Sequence, residues 1–205
     1  MTGPGGTADE ALIARARQGD IEAFNGLVER YQGGMFNLCL RLLGNREAAE
    51  DATQEAFLSA YRALARFAGG NVRSWLFRIA ANQCMDELRR RKRKDAAGSL
   101  EEIFDRSETP VEIADSGEAA ERISERHETA EALQQALLQL PFEQRQAVVL
   151  IDLYDFAYDE VAGMTSSSTG TVKSRVHRGR EKLRQLVAAR PELFGVPRRL
   201  ETRGT

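Results

Sequence analysis

The chain has 205 residues, with 29 Lys and Arg against 31 Asp and Glu, so its formal net charge of −2 implies no class of partner and charge is informative only locally. No stretch approaches the roughly 18 consecutive apolar residues of a membrane span, and the start MTGPGGTADE has neither the charged beginning nor the apolar centre of a signal peptide, which points to a cytoplasmic protein without membrane insertion. Cys39 and Cys84 lie far apart within helical patterns and read as small core residues, while His127 and His177 stand clear of cysteines and carboxylates at ligand spacing, so no metal, cofactor or catalytic constellation is expected and the chain is not read as an enzyme.

Alternation with period two never persists, whereas the helical period recurs from Ala8 to Arg91 and from about Glu125 to Ala189. The expected fold is all-α. The first block divides into helices at roughly Ala8 to Gln18, Ile21 to Leu43, Arg46 to Phe67 and Val72 to Arg93, with breaks at Gly19-Asp20, Gly44-Asn45 and Gly69-Gly70-Asn71 and a kink expected at Gly33-Gly34. In the third of these, Ala49, Ala56, Ala60 and Leu64 form the buried side, which leaves Asp51, Gln54, Glu55, Leu58 and Arg62 within an arc of about 100 degrees. An acidic and amide patch with one exposed leucine suits another protein. In the fourth, Leu76, Ile79, Ala80 and Gln83 share one side, while Arg78, Asn82, Met85 and Arg89 line another that suits nucleic acid. Phe67 beside the Gly69-Gly70-Asn71 loop either stacks on an unpaired base or packs against its own turn.

Arg89 to Lys94 reads RRRKRK, and then the sign reverses: from Asp95 to Glu131 twelve acidic residues face only Arg106, Arg122 and Arg126. With few large apolar residues, this stretch to about Ser124 reads as a flexible acidic linker between two small helical domains. It either follows a path meant for nucleic acid, keeping the basic segments on either side from binding DNA prematurely, or is simply a solvated tether.

The second block shows a helix from about Glu125 to Leu138, another from Pro141 through Leu153, a short one from about Tyr158 to Met164, a turn at Ser166 to Thr169, and a basic helix at Thr171 to Leu186. In that last helix Val172, Val176, Leu183 and Leu186 make the buried stripe, and Lys173, Ser174, His177, Arg178, Arg180 and Arg184 face outward. A short helix, a turn and a basic helix form a helix-turn-helix, whose second helix enters the major groove. Thr169 or Thr171 is placed to cap it, Lys173, Arg175 and Arg178 to meet phosphates and guanine edges, and Val161 and Met164 to buttress it. The tail PELFGVPRRLETRGT reads as poorly ordered.

Taken together these segments resemble the bacterial sigma factors of the sigma-70 superfamily, in its short two-domain extracytoplasmic-function (ECF) group. The resemblance divides the chain into a region 2 domain at 8–94, an acidic linker at 95–124, a region 4 helix-turn-helix domain at 125–189 and a flexible tail at 190–205. DATQEAFLSAYRAL is similar to the segment that grips the beta-prime clamp helices of core RNA polymerase, which implies that role for Asp51, Gln54, Glu55 and Leu58, with the beta subunit as a further contact. SWLFRIAANQCMDELRRRKR is similar to the segment that melts and reads the minus-10 element. The resemblance places Phe67, Asn71, Arg73 and Asn82 around a flipped base, with Arg78 and Arg89 on the same DNA-binding face. The helix-turn-helix is similar to the reader of the minus-35 element, which implies DNA contacts from Thr171, Lys173, Ser174, Arg175, His177 and Arg178. Promoter DNA and an anti-sigma factor are the other implied partners. A dimeric helix-turn-helix regulator of duplex operators is the alternative from another class.

The chain departs from the family pattern where Ser or Thr, Leu-Gly and Ala are usual, since it has Ala157, Thr165-Ser166 and Gly179; Asp155 likewise stands for a usual Gly. A missing N-cap, a left-handed Ser and a helical Gly each cost about 1 kcal/mol. The isolated second domain is therefore expected to be marginally stable and to firm up when tethered.

Overall fold

A computed structural model describes residues 6–96 and 120–194, and within them every regular element is helical. The first block comprises α1 (Gly6–Ala16), α2 (Ile21–Leu43), α3 (Arg46–Ala63) and α4 (Val72–Ala96). The second comprises α5 (Ala120–Leu138), α6 (Phe142–Val148), which runs into a π-helical turn at Val149–Leu153, then α7 (Tyr158–Met164) and α8 (Thr169–Ala189).

Three of the expected breaks carry their own caps. Asp20 Oδ1 accepts from Ala23 N–H at 3.1 Å, Asn45 Oδ1 from Ala48 N–H at 2.8 Å, and Asn71 Oδ1 from Ser74 N–H at 3.1 Å. Each satisfies a donor that a helix start leaves without an internal partner. Between them α3 lies against both α2 and α4, close enough because Ala49, Ala56 and Ala60 have no exposed surface. The buried Asp9 of α1 accepts from Arg30 and Tyr31 of α2, and burial followed by the bond to Asp9 raises the Tyr31 pKa.

Several boundaries differ from expectation. Helix α3 stops at Ala63 and tightens into a 3-10 turn at Leu64–Arg66, closed by Phe67 N–H donating to Leu64 O at 3.1 Å. Helix α2 runs through Gly33-Gly34 as one element; the missing side chain at Gly34 instead leaves room for Phe77, whose Cζ lies 3.1 Å from where a Cβ would stand. Helices α4 and α5 extend into the expected linker, whose remaining residues 97–119, and with them the expected linker path, lie outside the described residues. Within the tail, Pro191–Phe194 forms a 3-10 turn against α5 and α8, where disorder was expected.

In the second block Val149, Leu150, Val161, Val172 and Val176 are fully or almost fully buried, and Met164 joins them, so α7 buttresses α8 as anticipated. The cap of α8 is neither Thr169 nor Thr171: Ser168 Oγ accepts from Thr171 N–H at 3.1 Å. Ala157 has no oxygen to cap α7, yet Glu160 Oε2 accepts from Ala157 N–H at 3.0 Å and supplies half of a capping box. Asp155 and Ser166 sit at φ 54° and 48°, the strained left-handed region. Ser166→Gly is expected to raise the stability of the full chain by about 0.5–1 kcal/mol, measured by urea denaturation. Gly179 corrects the sequence reading. It is buried, and a Cβ there would stand 2.6 Å from Val148 Cγ2 and 3.1 Å from Leu140 Cδ2, so its bareness lets α8 lie against α6.

The two blocks share one apolar core. Gln134 of α5 accepts from Arg41 at 3.0 Å and donates to Leu40 O at 3.2 Å, a second donor to a carbonyl that already accepts from the Gly44 N–H at the end of α2. Tyr154 donates its hydroxyl to Gly34 O at 2.9 Å, and its ring and that of Phe156 meet Phe77 edge-on, centroids 4.9 and 5.3 Å away. Burial pushes the Tyr154 pKa up to about 12, so the hydroxyl keeps the proton it donates. Cys39 and Cys84 are buried as free thiols, and the hydrogen bond to Cys39 together with burial raises the Cys84 pKa.

Candidate protein and nucleic-acid interfaces

On α3 the Ala49-Ala56-Ala60 stripe faces inward and turns Asp51, Gln54, Glu55 and Leu58 to solvent. Leu58 is 51% exposed and Tyr61, one turn further on, 45% exposed. Tyr61 was missed in the sequence, although its i, i+3 spacing from Leu58 puts it on the same face. Arg62 donates to Glu55 Oε1 at 3.1 Å, which leaves that face acidic and apolar. Two exposed apolar side chains rimmed by carboxylates suit a protein partner.

At the start of α4 the expected base-capture residues separate into two groups. Phe67 is buried and tilts against Trp75 with ring centroids 4.8 Å apart, so it forms the floor of a cleft and not a free stacking platform. Asn71, Ser74 and Arg78 line that cleft too. Trp75 was missed, although its position one turn after Asn71 places it there. Arg73 lies elsewhere, donating to Tyr154 O at 2.7 Å and resting on the Phe156 ring at 4.3 Å. Asn82 and Arg89 lie further along α4 in a second cleft, which Arg78 joins to the first.

Part of the basic run is tied down within α4. Arg89 donates to Asp86 at 3.4 Å, and Arg90 and Arg91 each donate to Glu87 at 2.7 Å, Arg90 foremost in holding the Glu87 carboxyl below its ordinary pKa. The run therefore presents less free charge than its letters suggest.

On α8, Thr171, Lys173, His177 and Arg178 are exposed at the helix-turn-helix surface, with Ser174 half-buried among them. Arg175 is turned aside: it donates to Ser167 Oγ at 2.9 Å and lines the cleft shared with Asn82 and Arg89. Arg180 is engaged by Asp152 at 3.0 Å and has its pKa raised by that bond, while Arg184 pairs with Glu181. The free positive charge is therefore narrower than the sequence suggests and centres on Lys173 and Arg178, with the exposed His177 between them. Among the described residues no group of His, Cys, Asp or Glu is arranged to hold a metal ion, and no helix is long and apolar enough to cross a membrane.

Residues 27–94 match the family model for sigma-70 region 2, and residues 130–183 that for sigma-70 region 4. The chain is 34% identical to the RNA polymerase sigma-H factor of Pseudomonas aeruginosa over 85% of its length and 91% of that protein. It is 36% identical to the ECF RNA polymerase sigma factor SigM of Mycobacterium tuberculosis, covering 88% of this chain and 85% of that one. Its structure resembles the sigma factor RpoE of Bartonella quintana, solved in complex with the anti-sigma factor NepR, with a TM-score of 0.66 and 25% identity over 82% of this chain and 98% of that one. It also resembles CnrH, solved in complex with the cytosolic domain of CnrY, with a TM-score of 0.63 and 25% identity over 89% and 99%. Relatives spanning both helical blocks, together with matches to the two sigma regions in order, leave no room for the dimeric-operator alternative: the chain belongs to the ECF group of sigma-70 family RNA polymerase sigma factors.

Proposed function

We propose that three surfaces divide the work of a promoter-specificity factor. The α3 face of Asp51, Gln54, Glu55 and Leu58, with Tyr61, docks on the beta-prime clamp helices of core polymerase. The cleft over Phe67 and Trp75, edged by Asn71 and Arg78, and the second cleft of Asn82 and Arg89 that adjoins it take the melted nontemplate strand of the minus-10 element, with Arg73 as a further contact. Thr171, Lys173, Ser174, His177 and Arg178 meet the minus-35 duplex, and Arg175 joins them on leaving Ser167. In this division 8–94 and 125–189 are the two working domains, 95–124 the linker and 190–205 the tail; the factor acts in the cytoplasm, and catalysis belongs to the polymerase. The likeness to an RpoE bound to an anti-sigma factor supports an anti-sigma partner here.

The observation that carries the reading is the exposure of the acidic and apolar α3 face in a chain of this family. The test is run-off transcription with core polymerase on a promoter library. Arg178→Ala and Lys173→Ala are each expected to lower transcription from selected promoters about three- to tenfold and to reduce the steepness of the salt dependence of promoter binding by about one ion. Unchanged output from both variants would refute the duplex assignment.

A further inference from the structure

The only two cysteines of the chain stand on different helices, Cys39 on α2 and Cys84 on α4, yet their sulfurs share a hydrogen bond in the core of the first block. Both residues have no exposed surface, and both are free thiols. The two helices run side by side past them, as the packing of Phe77 into the space at Gly34 shows. The Thr53 hydroxyl of α3 is the other side-chain group bonded to Cys39. A packed core alone accounts for this much, since a buried thiol behaves as a small apolar side chain.

It does not account for Arg145. This α6 side chain is 6% exposed, its Nε has no partner, and its guanidinium carbon lies 5.8 Å from the centre of the Phe142 ring. Burial lowers its pKa, and the charge that offsets this effect is that of Cys84. A buried cation calls for an anion, and a cation beside a thiol favours the thiolate. Within the pair, the hydrogen bond from Cys84 draws the Cys39 pKa below that of an ordinary thiol, against the effect of burial. The same bond raises the Cys84 pKa, so Cys84 keeps its proton. One sulfur set to lose a proton, one set to keep it and a counter-ion are thus assembled at a single point.

We propose that Cys39, Cys84 and Arg145 form a redox site, in which hydrogen peroxide converts the two thiols to a disulfide between α2 and α4. The Cys39 thiolate attacks one peroxide oxygen and the O–O bond breaks. That oxygen stays on sulfur as a sulfenic acid, and the other leaves as hydroxide and takes up the proton that Cys39 lost, giving water. The Cys84 sulfur then attacks the Cys39 sulfur, the S–O bond breaks, and the oxygen departs as a second water with the Cys84 proton. Two thiols are oxidised by two electrons and one peroxide is reduced to two waters. Local opening of the core admits the small peroxide, and the cation favours the attacking thiolate. Reversed by a thiol reductant, the bond records oxidant exposure within the chain itself.

The test exposes the full reduced chain, natively folded, to hydrogen peroxide at about pH 7, then denatures it and counts free thiols with a maleimide. The expected result is a fall from two thiols to none, with an intact mass lower by two hydrogens and no cross-link between chains. Arg145→Met, which removes the charge at similar length, is expected to slow the reaction about tenfold, and Arg145→Lys to recover most of the rate. Two further variants leave the arginine in place. Cys84→Ser retains a donor to Cys39, and a diketone that traps sulfenic acids should label Cys39 in it about fivefold faster than it labels Cys84 in Cys39→Ser. Two free thiols after peroxide, or a bond between chains in place of the internal one, overturns the site. Disulfide formation in Arg145→Met at the parental rate overturns the counter-ion role of Arg145. Equal labelling of the two serine variants overturns Cys39 as the attacking sulfur.

Discussion

Asp51→Arg is expected to weaken association with core RNA polymerase at least tenfold, the loss of about 1.4 kcal/mol or more that follows when a charge facing a complementary partner is reversed. Asp51 is exposed, so the change should leave the thermal midpoint of the free chain within about 1 °C, in keeping with the small effects of surface substitutions. Leu58→Ser should weaken association comparably by removing the exposed apolar anchor, which is 51% accessible in the free chain. The measurement is co-purification followed by a fluorescence titration with core enzyme. Retention of full affinity by both variants would move the docking surface off α3. The two substitutions probe different chemistry on one face, so a loss in both identifies the face and not a single contact.

Gly179→Ala is expected to destabilise the full chain by about 1–3 kcal/mol despite the better helix propensity of alanine. Propensity alone predicts a gain of about 1 kcal/mol. Against it, the new methyl would stand 2.6 Å from Val148 Cγ2 and 3.4 Å from the Gln144 carbonyl oxygen. Val148 is β-branched and stiff at χ1, and the carbonyl belongs to the backbone of α6, so relief requires α8 to move away from its partner. Urea denaturation of the variant and the parent decides the sign. A rise in midpoint would restore the reading of Gly179 as a weak point in an otherwise ordinary helix. A fall would also displace the reading helix, and promoter output should then drop with stability.

The divergence at Gly179 shows where reading from residues alone stops. Asp20, Asn45 and Asn71 were legible as helix starts because each cap is a local bond within three residues. The capping residue of α8 was not, since Ser166, Ser167, Ser168 and Thr169 all have suitable oxygens and only the path of the turn selects Ser168. Arg145, only 6% exposed, would pass as a surface arginine of a short helix, and its burial needs the neighbouring elements. Arg73, placed beside a base by resemblance, is drawn instead to the Tyr154 carbonyl, eighty-one residues away in sequence. Nothing local to either residue announces that pairing.

The order of apolar and charged residues was enough to define the eight helices, the inward alanine stripe of α3 and the outward Lys173, His177 and Arg178, because these depend on a helical period and on caps that act within one turn. The meeting of the two blocks depends on something else. Glu160 on Asn71 and Ser74, Tyr154 on Gly34 and Gln134 on Leu40 join residues that no period relates, and each contact forms only where packed helices bring a donor to an acceptor. Complementarity of shape and hydrogen bonding across such a seam is a property of the assembled surfaces, so whether the cleft over Phe67 and Trp75 stands open or covered was left to the tertiary structure.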